Sequence, residues 1–136
     1  MLKAAVLAGI KTSQEHKVTR PLAVGITVLT SEAKKDNIRR LVLERACLAK
    51  ESGLDGVVAS VEEASLIRKE LGEDFIIVTP GIRPKGSEAG DQQRIATPID
   101  AVLSGSDYLV VGRPIVKSPH PLKSAQAIIE EIKEIV

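Results

Sequence analysis

Four short apolar segments, each rich in Val and Ile, constrain the fold of this 136-residue chain more than any other feature. They are PLAVGITVL (21–29), LDGVVAS (54–60), DFIIVTP (74–80) and DYLVVGRP (107–114). None of them alternates cleanly between apolar and polar residues, and such segments are typical of strands that are buried on both faces. The sequence therefore predicts four strands of a parallel sheet.

Helical patterns occupy the stretches between these segments. Residues 31–52 place apolar side chains on one face and stop before Gly53, and residues 1–14 and 121–136 also have helical spacing. The resulting order, α-β-α-β-α-β-α-β-α, is typical of an α/β domain with parallel strands. Because no linker interrupts the chain, we interpret residues 1–136 as a single, partial domain.

Two helix starts carry sequence signals. Ser60 and Glu63 have the spacing of a capping box, in which each side chain bonds a backbone amide of the other residue. Thr97 precedes Pro98, which suits an N-cap followed by a proline at the first helical position. We therefore expect helices to start directly after Ser60 and Thr97.

The positions of the glycine and basic residues favour half of a barrel over a small open sheet. Gly53-Leu54-Asp55 and Gly105-Ser106-Asp107 each precede a strand, which indicates a repeated unit. An open sheet normally carries a glycine-rich nucleotide motif after its first strand, and Leu29-Thr30-Ser31 has none. Glycine and basic residues follow the third and fourth strands instead, and (β/α)8 barrels bind phosphate after strands seven and eight. The predicted fold is a parallel (β/α) half-barrel, the C-terminal half of a TIM-type (β/α)8 barrel.

The composition narrows the classes of partner. The chain is 43% hydrophobic and 27% charged with a formal net charge of +1, which argues against a nucleic-acid or membrane surface as the main partner. It has no run of about 18 apolar residues that could span a bilayer, and residues 1–11 lack the layout of a signal peptide. The single cysteine, Cys47, excludes an internal disulfide, so we expect a cytoplasmic protein. No Cys/His/Asp spacing indicates a metal site.

Gly112 and Arg113 are the first candidates for a binding site. Gly112 ends the fourth strand, where the missing side chain lets backbone N–H groups approach a ligand. Arg113 follows at the carboxyl ends of the strands, where its guanidinium can fork onto a phosphate. The local sequence leaves a strand-end glycine followed by a solvated arginine as an equally open alternative.

The polar loop TPGIRPKGSEAGDQQR (79–94) is the second candidate. Its proline and glycine turn the chain sharply at the strand end, and it carries basic and amide side chains suited to an anion, namely Arg83, Lys85, Gln92, Gln93 and Arg94. A solvated surface loop is the competing interpretation. On the same side, Thr30 either binds a ligand or caps the next helix, and Ser31 is expected to be a cap.

These segments together resemble orotidine 5′-phosphate decarboxylase. The resemblance rests on TPGIRPKGSEAGDQQRIATP and DYLVVGRPI, and it extends over nearly the whole chain through MLKAA, GITVLTS and LDGVVAS. It implies the decarboxylation of orotidine 5′-monophosphate (OMP) to uridine 5′-monophosphate (UMP) in de novo pyrimidine biosynthesis, without cofactor or metal. It also implies that the 5′-phosphate or the pyrimidine is bound by Thr30, Pro80, Gln92, Gly112 and Arg113.

The same resemblance implies that the catalytic residues are absent. The chemistry of the family uses a Lys and an Asp-x-Lys-x-x-Asp motif on the second and third strands of the barrel, and this chain contains no Asp-x-Lys. Met1 corresponds to an internal position just before the fourth helix of the family. We therefore expect negligible activity from this chain alone.

Two kinds of assembly and one alternative function stay open. A half-barrel leaves strand edges and inward-facing aliphatic side chains uncovered. It would close either as a homodimer with two phosphate sites or by pairing with a separate N-terminal half-barrel. The alternative function is a non-catalytic half-barrel that binds phosphate or an OMP- or UMP-like nucleotide and self-assembles into a dimeric barrel.

Overall fold

A computed structural model describes residues 1–28, 37–84, 96–133 and 135. Ten elements follow one another in this part of the chain: α1 (Leu2–His16), β1 (Val24–Ile26), α2 (Ile38–Glu51), β2 (Gly56–Val58), α3 (Val61–Leu71), β3 (Ile76–Pro80), α4 (Pro98–Leu103), β4 (Tyr108–Val110), α5 (Arg113–Val116) and α6 (Pro121–Lys133). Among these described residues, no helix is long and apolar enough to cross a membrane.

The alternation of helices and strands is confirmed, with one addition. The single-turn helix α5 is absent from the sequence prediction because four residues are too few to show apolar periodicity. Pro114 lies in its first turn, where a fixed φ suits a helix start. The predicted start of the second helix, at residue 31, lies outside the described residues, and α2 is described from Ile38.

The four strands form one parallel sheet in the order β1-β2-β3-β4, which confirms the predicted α/β fold. Each strand pairs with its neighbour in the chain, so that Val24, Gly56 and Ile76 lie side by side, and Pro80 lies beside Val110. Because all strands run in the same direction, the sheet has an N-terminal rim, where the strands begin, and a C-terminal rim, where they end.

One face of the sheet packs against the helices and forms the core. Val57 and Ile77 on this face are 1% and 0% exposed, and they belong to a buried cluster that includes Val42 of α2 and Ile67 of α3. Complete burial of an aliphatic side chain contributes about 1.5–3 kcal/mol. The core therefore joins β2 and β3 to the two helices that cover them.

The opposite face, which we call the inner face, carries only apolar side chains apart from the hydroxyl of Tyr108. Its members alternate with the core residues along each strand: Val24, Ile26, Val58, Ile76, Val78, Pro80, Tyr108 and Val110. On the two edge strands these side chains are largely open, since Ile26 is 66% and Tyr108 is 56% exposed. No described helix covers this face.

The repeat of Gly-x-Asp in the sequence has a physical counterpart at the N-terminal rim. Gly53 and Gly105 both have positive φ, 85° and 90°, and end the preceding helices. Two residues later, Asp55 accepts a hydrogen bond from the amide of Ala23 at 2.6 Å, and Asp107 accepts one from the amide of Ile77 at 2.7 Å. Each aspartate thereby ties the start of its own strand to the neighbouring strand.

An arginine completes each of these contacts. The guanidinium of Arg20 donates to both carboxylate oxygens of Asp55, with N–O distances of 2.9 and 2.5 Å. Nη2 of Arg68 lies 2.7 Å from Oδ2 of Asp107. We call these two units the Asp55 clasp and the Asp107 clasp. They place two ion pairs at the N-terminal rim.

Candidate functional site

The C-terminal rim gathers three of the five sequence-predicted binding residues. Pro80 ends β3, and Gly112 and Arg113 follow β4, whose Val110 is the register partner of Pro80. These residues therefore follow neighbouring strand ends. The other two, Thr30 and Gln92, lie outside the described residues.

Gly112 is the N-cap of α5 and faces open space. Its carbonyl oxygen accepts hydrogen bonds from the amides of Ile115 and Val116, both at 3.0 Å. A Cβ atom added to Gly112 would meet none of the described atoms within 4 Å. Packing within the described chain therefore does not require a glycine here, and a side chain would extend into space that a ligand could occupy.

Arg113 begins α5 beside Gly112 and is half-buried. The fourth strand ends at Val110 and not at Gly112 as predicted, so Arg113 lies three residues beyond the strand end. Its position on the C-terminal rim matches the sequence prediction. A guanidinium at such a position presents several N–H donors in one plane, a geometry that suits phosphate oxygens.

Arg83 is the residue whose environment the sequence did not reveal. Arg83 is only 7% exposed. Its Nη1 donates a hydrogen bond to the carbonyl oxygen of Ile82 at 3.0 Å. No carboxylate of the described residues pairs with it. A guanidinium has five N–H donors, and burying an ionised group without an opposite charge is costly. Arg83 is therefore the strongest indication of an anion site on this rim.

The backbone around Arg83 closes the base of the loop that follows β3. The amide of Arg83 donates to the carbonyl of Ala96 at 2.9 Å, and Ile82 and Ala96 form a parallel bridge. The two ends of the stretch 84–95 are thus held together. Gln92, predicted to bind phosphate, belongs to this stretch but lies outside the described residues.

A cleft of about 360 Å³ on the C-terminal rim lies between α3 and α4 and includes Pro80. Its other lining residues are Ser60, Val61, Glu62, Ser65, Ala96, Asp100 and Ser104. The carboxylates of Glu62 and Asp100 would repel a phosphate. Gly112 and Arg113 do not line it, so the predicted phosphate contacts and this cleft are separate.

The capping prediction at Ser60 is partly wrong. Ser60 is the N-cap of α3, but its hydroxyl makes no bond to the helix backbone. It donates instead to Oε2 of Glu63 at 2.5 Å, and the Glu63 residue is fully buried. A hydroxyl close to a buried carboxylate satisfies that acceptor better than a distant amide would.

The start predicted at Thr97 is confirmed, and the structure adds a complete capping box. The amide of Asp100 donates to Oγ1 of Thr97 at 3.1 Å, and the amide of Thr97 donates to Oδ2 of Asp100 at 3.1 Å. Pro98 occupies the first turn, as expected.

Comparison with known proteins decides the family. Residues 1–128 match the model of the orotidine 5′-phosphate decarboxylase / HUMPS family. The chain belongs to this family. A curated relative, orotidine 5′-phosphate decarboxylase of Vibrio cholerae serotype O1 (strain ATCC 39541 / Classical Ogawa 395 / O395), is 52% identical over 83% of this chain and 51% of its own length. The chain thus spans about half the length of the curated relatives it matches.

Solved structures agree with this assignment. Orotidine 5′-phosphate decarboxylase from Lactobacillus acidophilus superposes with a TM-score of 0.70 at 35% identity, covering 85% of this chain and 50% of that one. An uncharacterized conserved protein from Geobacillus kaustophilus gives a TM-score of 0.75 at 29% identity, covering 97% of this chain and 58% of that one. The decarboxylase neighbours are TIM barrels, of which this chain covers about half, so the predicted half-barrel is confirmed.

Proposed function

We propose that this chain supplies the phosphate- and pyrimidine-binding half of an orotidine 5′-phosphate decarboxylase, which converts OMP to UMP in pyrimidine biosynthesis in the cytoplasm. The family match over residues 1–128 supports the reaction class. The buried Arg83, with a single hydrogen bond and no carboxylate partner among the described residues, carries the proposal of an anion site.

The 5′-phosphate is bound on the C-terminal rim by charge and by backbone donors. Arg83 and Arg113 supply guanidinium groups, Gly112 allows the phosphate to approach the main chain, and Gln92 supplies an amide. Arginine suits this role because its planar donors match phosphate oxygens in a bidentate manner. Thr30 and Pro80 lie against the pyrimidine.

Binding of the phosphate serves the reaction at a distance. Decarboxylation breaks the bond between C6 and the carboxylate, leaves the electron pair on C6 and requires a proton there. Interactions with a remote phosphate can be used to hold the pyrimidine against groups that favour this carbanion. The Lys and Asp-x-Lys-x-x-Asp groups that supply this chemistry in the family do not occur in these 136 residues. This chain alone therefore binds nucleotide without turning it over.

The first experiment compares nucleotide binding with turnover. Calorimetry with UMP and with uridine measures the contribution of the phosphate, and the loss of OMP absorbance at high protein concentration measures decarboxylation. We expect UMP to bind more tightly than uridine and no turnover. Arg113→Ala should weaken UMP binding by about tenfold or more, because a charge-assisted contact is worth about 1.4 kcal/mol or more. Arg39→Ala, on the exposed surface of α2, is the matched control.

The outcomes separate the proposal from its alternatives. Equal affinity for UMP and uridine, or UMP binding that Arg113→Ala leaves intact, would contradict the phosphate site. Turnover by the chain alone that Arg113→Ala abolishes would mean that another group of this chain supplies the proton. The alternative of a binding module without catalysis is favoured by the same Arg83. It predicts no decarboxylation even after a separate chain bearing Asp-x-Lys-x-x-Asp has been added.

A further inference from the structure

Helix α3 begins with a polar contact that departs from the usual capping pattern. Its N-cap residue, Ser60, donates its hydroxyl to Oε2 of Glu63 at 2.5 Å and makes no hydrogen bond to the helix backbone. At the start of α4, by contrast, Thr97 and Asp100 form a complete capping box on an exposed surface. Local rules of this kind are most often broken at functional sites. The contact between Ser60 and Glu63 is therefore a place to look for a further role.

Glu63 is a buried carboxylate that has no part in the proposed binding of OMP. The residue is 0% exposed and belongs to the first turn of α3. Burying a carboxylate is costly, and replacing buried ionic groups by well-packed apolar side chains is often neutral or stabilising. Stability of the fold alone therefore does not account for a carboxylate at this position.

A small cavity lies beside Glu63, where β1, β2 and β3 end. Its volume is about 20 Å³, and Thr27, Val58, Ser60, Glu63 and Pro80 are among the residues that line it. A cavity needs about 10–15 Å³ and about two to four polar partners to hold one water molecule. The hydroxyls of Thr27 and Ser60 and the carboxylate of Glu63 are such partners. The cavity therefore suits one buried water.

Pro80 connects this cavity to the proposed binding site. It is the last residue of β3 at the C-terminal rim, where the proposed function places it against the pyrimidine. Among the described residues, Ser60 and Pro80 are the two that line both the small cavity and the cleft between α3 and α4. Pro80 and the contact between Ser60 and Glu63 thus border the same small space.

We propose that Ser60, Glu63 and one water molecule in this cavity support Pro80 from behind, which makes Glu63 a positioning residue for the pyrimidine. The inference rests on the proposed function, in which Pro80 lies against the pyrimidine. The water donates to Glu63 and to the hydroxyl of Thr27, which itself donates to the carbonyl oxygen of Val58. Because Glu63 is fully buried, it acts through Pro80 and does not touch the ligand. Side chains that support a binding group in this way determine how precisely it is placed.

Calorimetry with UMP, uridine and ribose 5-phosphate tests this role in Glu63→Gln, which keeps the size of the side chain and removes its charge. We expect the affinities for UMP and uridine to fall about tenfold, because both contain the pyrimidine and a displaced binding group costs at least this much. The affinity for ribose 5-phosphate, which lacks the pyrimidine, should change by less than about twofold. A loss of folded chain would instead lower all three affinities by the same factor.

Asp100→Asn is the matched control. Asp100 occupies the same position in α4 as Glu63 does in α3, the third residue of the helix, and the change removes one negative charge from the same rim. It should leave all three affinities within about twofold of the native values. Ser60→Ala is the second variant, which removes the hydroxyl donor and should show the same pattern of losses even if Glu63→Gln does not fold.

A crystal structure of the native chain gives a readout that needs no ligand. We expect one ordered water in the small cavity, within hydrogen-bond distance of Glu63 and Thr27. In the crystal structure of Glu63→Gln, we expect Pro80 to be displaced. A cavity without water, or a Pro80 that stays in place in the variant, would overturn the proposed support.

The binding results separate this inference from the proposed function. Equal losses for all three compounds would assign Glu63 to the fold, and unchanged affinities would leave it without a role in binding, so either result overturns the inference. Losses of the same size in Asp100→Asn would attribute the effect to charge. A native chain that binds UMP no more tightly than uridine would contradict the phosphate site, while the uridine measurements would still decide the role of Glu63. A native chain that binds none of the three compounds would overturn both.

Discussion

Arginine has opposite surroundings on the two rims of the sheet. At the N-terminal rim, Arg20 and Arg68 each contact an aspartate in a clasp. At the C-terminal rim, Arg83 is more deeply buried than either of them, yet among the described residues its guanidinium bonds only the carbonyl oxygen of Ile82. Paired charges on one rim stabilise the fold, whereas the guanidinium on the other has no carboxylate partner within the described parts of the chain, which is the basis of the proposed anion site. In barrels of this type stability resides at the N-terminal rim and binding at the C-terminal rim.

The largest effect on stability is expected from Arg68→Ala, which removes the centre of the Asp107 clasp. Besides Asp107, the Arg68 guanidinium bonds the carbonyl oxygens of Gly105 at 2.7 Å, of Gly72 at 2.9 Å and of Phe75 at 3.0 Å. Without the arginine these acceptors lose their partner in a partly buried environment. We expect the free energy of unfolding to fall by about 3 kcal/mol.

Urea denaturation at a fixed protein concentration measures this loss. The matched control is Arg40→Ala, because Arg40 forms only a surface ion pair with Glu44 on α2 and its side chain is 81% exposed. The control should cost less than about 0.5 kcal/mol. If both variants lost the same stability, the N-terminal rim would have no special role.

The Asp55 clasp should give a smaller effect that depends on pH. Hydrogen bonds from Arg20 hold the pKa of Asp55 below its usual value, and the amide of Ala23 acts in the same direction. Asp55→Asn keeps the size of the side chain and removes its charge. We expect a loss of about 1–2 kcal/mol near neutral pH, because hydrogen bonds to a charged acceptor are replaced by weaker ones.

The direction of the pH dependence follows from the lowered pKa. A carboxylate whose pKa is lower in the folded chain contributes its stability above the pKa of the unfolded chain, about 3.9, and loses it as the pH falls through the folded value. The difference between the native chain and Asp55→Asn should thus be constant above about pH 5 and shrink below about pH 4. Denaturation curves that differ equally at all pH values would contradict this role of the carboxylate.

The two helix starts on the C-terminal rim offer a third comparison, with a smaller effect. Thr97→Ala removes a hydroxyl that accepts the Asp100 amide and should cost about 1 kcal/mol. The hydroxyl of Ser60 contacts Glu63 instead of the helix backbone. Ser60→Ala therefore leaves the capping of α3 unchanged and tests only the bond to the buried carboxylate. Thermal denaturation of both variants measures the two losses, and a stability of α4 that Thr97→Ala leaves unchanged would contradict the role of Thr97 as its cap.

Local sequence patterns predicted the helices and strands of this fold. They did not predict the ion pairs of the clasps, because those pairs join residues that are distant in the chain. The four apolar segments, the Gly-x-Asp repeat and the Thr97 cap depend on neighbours within a few residues, and each is confirmed. The partners in the clasps are 35 and 39 residues apart in the chain, so the repeat revealed the aspartates but not their arginines. The spacing of Ser60 and Glu63 correctly predicted the N-cap of α3 but not its bonds, because spacing alone does not decide whether a hydroxyl bonds an amide or a carboxylate.

In the candidate site, too, local patterns predicted some features and contacts between distant residues determined the others. Gly112 and Arg113 lie two and three residues beyond the end of β4, so their position on the C-terminal rim was predictable from the sequence. The burial of Arg83 results from the contact of residues 82 and 83 with Ala96, which no local pattern reveals. From the sequence alone, Arg83 was one basic residue among several in a polar loop.

The smallest effect on stability, and the sharpest test of the contrast between the rims, is expected from Arg83→Met. No described carboxylate pairs with Arg83, and replacing a buried charge by an apolar side chain of similar length is often neutral or stabilising. We therefore expect the free energy of unfolding to change by less than about 1 kcal/mol, or to rise, whereas Arg68→Ala lowers it.

The binding of UMP should respond to Arg83→Met in the opposite way. UMP at a hundred times its dissociation constant stabilises a binding-competent chain by about 2.7 kcal/mol, and Arg83→Met should lose much of this gain. Arg39→Met on the exposed face of α2 should keep it. A large loss of stability in Arg83→Met without UMP would assign this arginine to the fold, and the difference between the two rims would disappear.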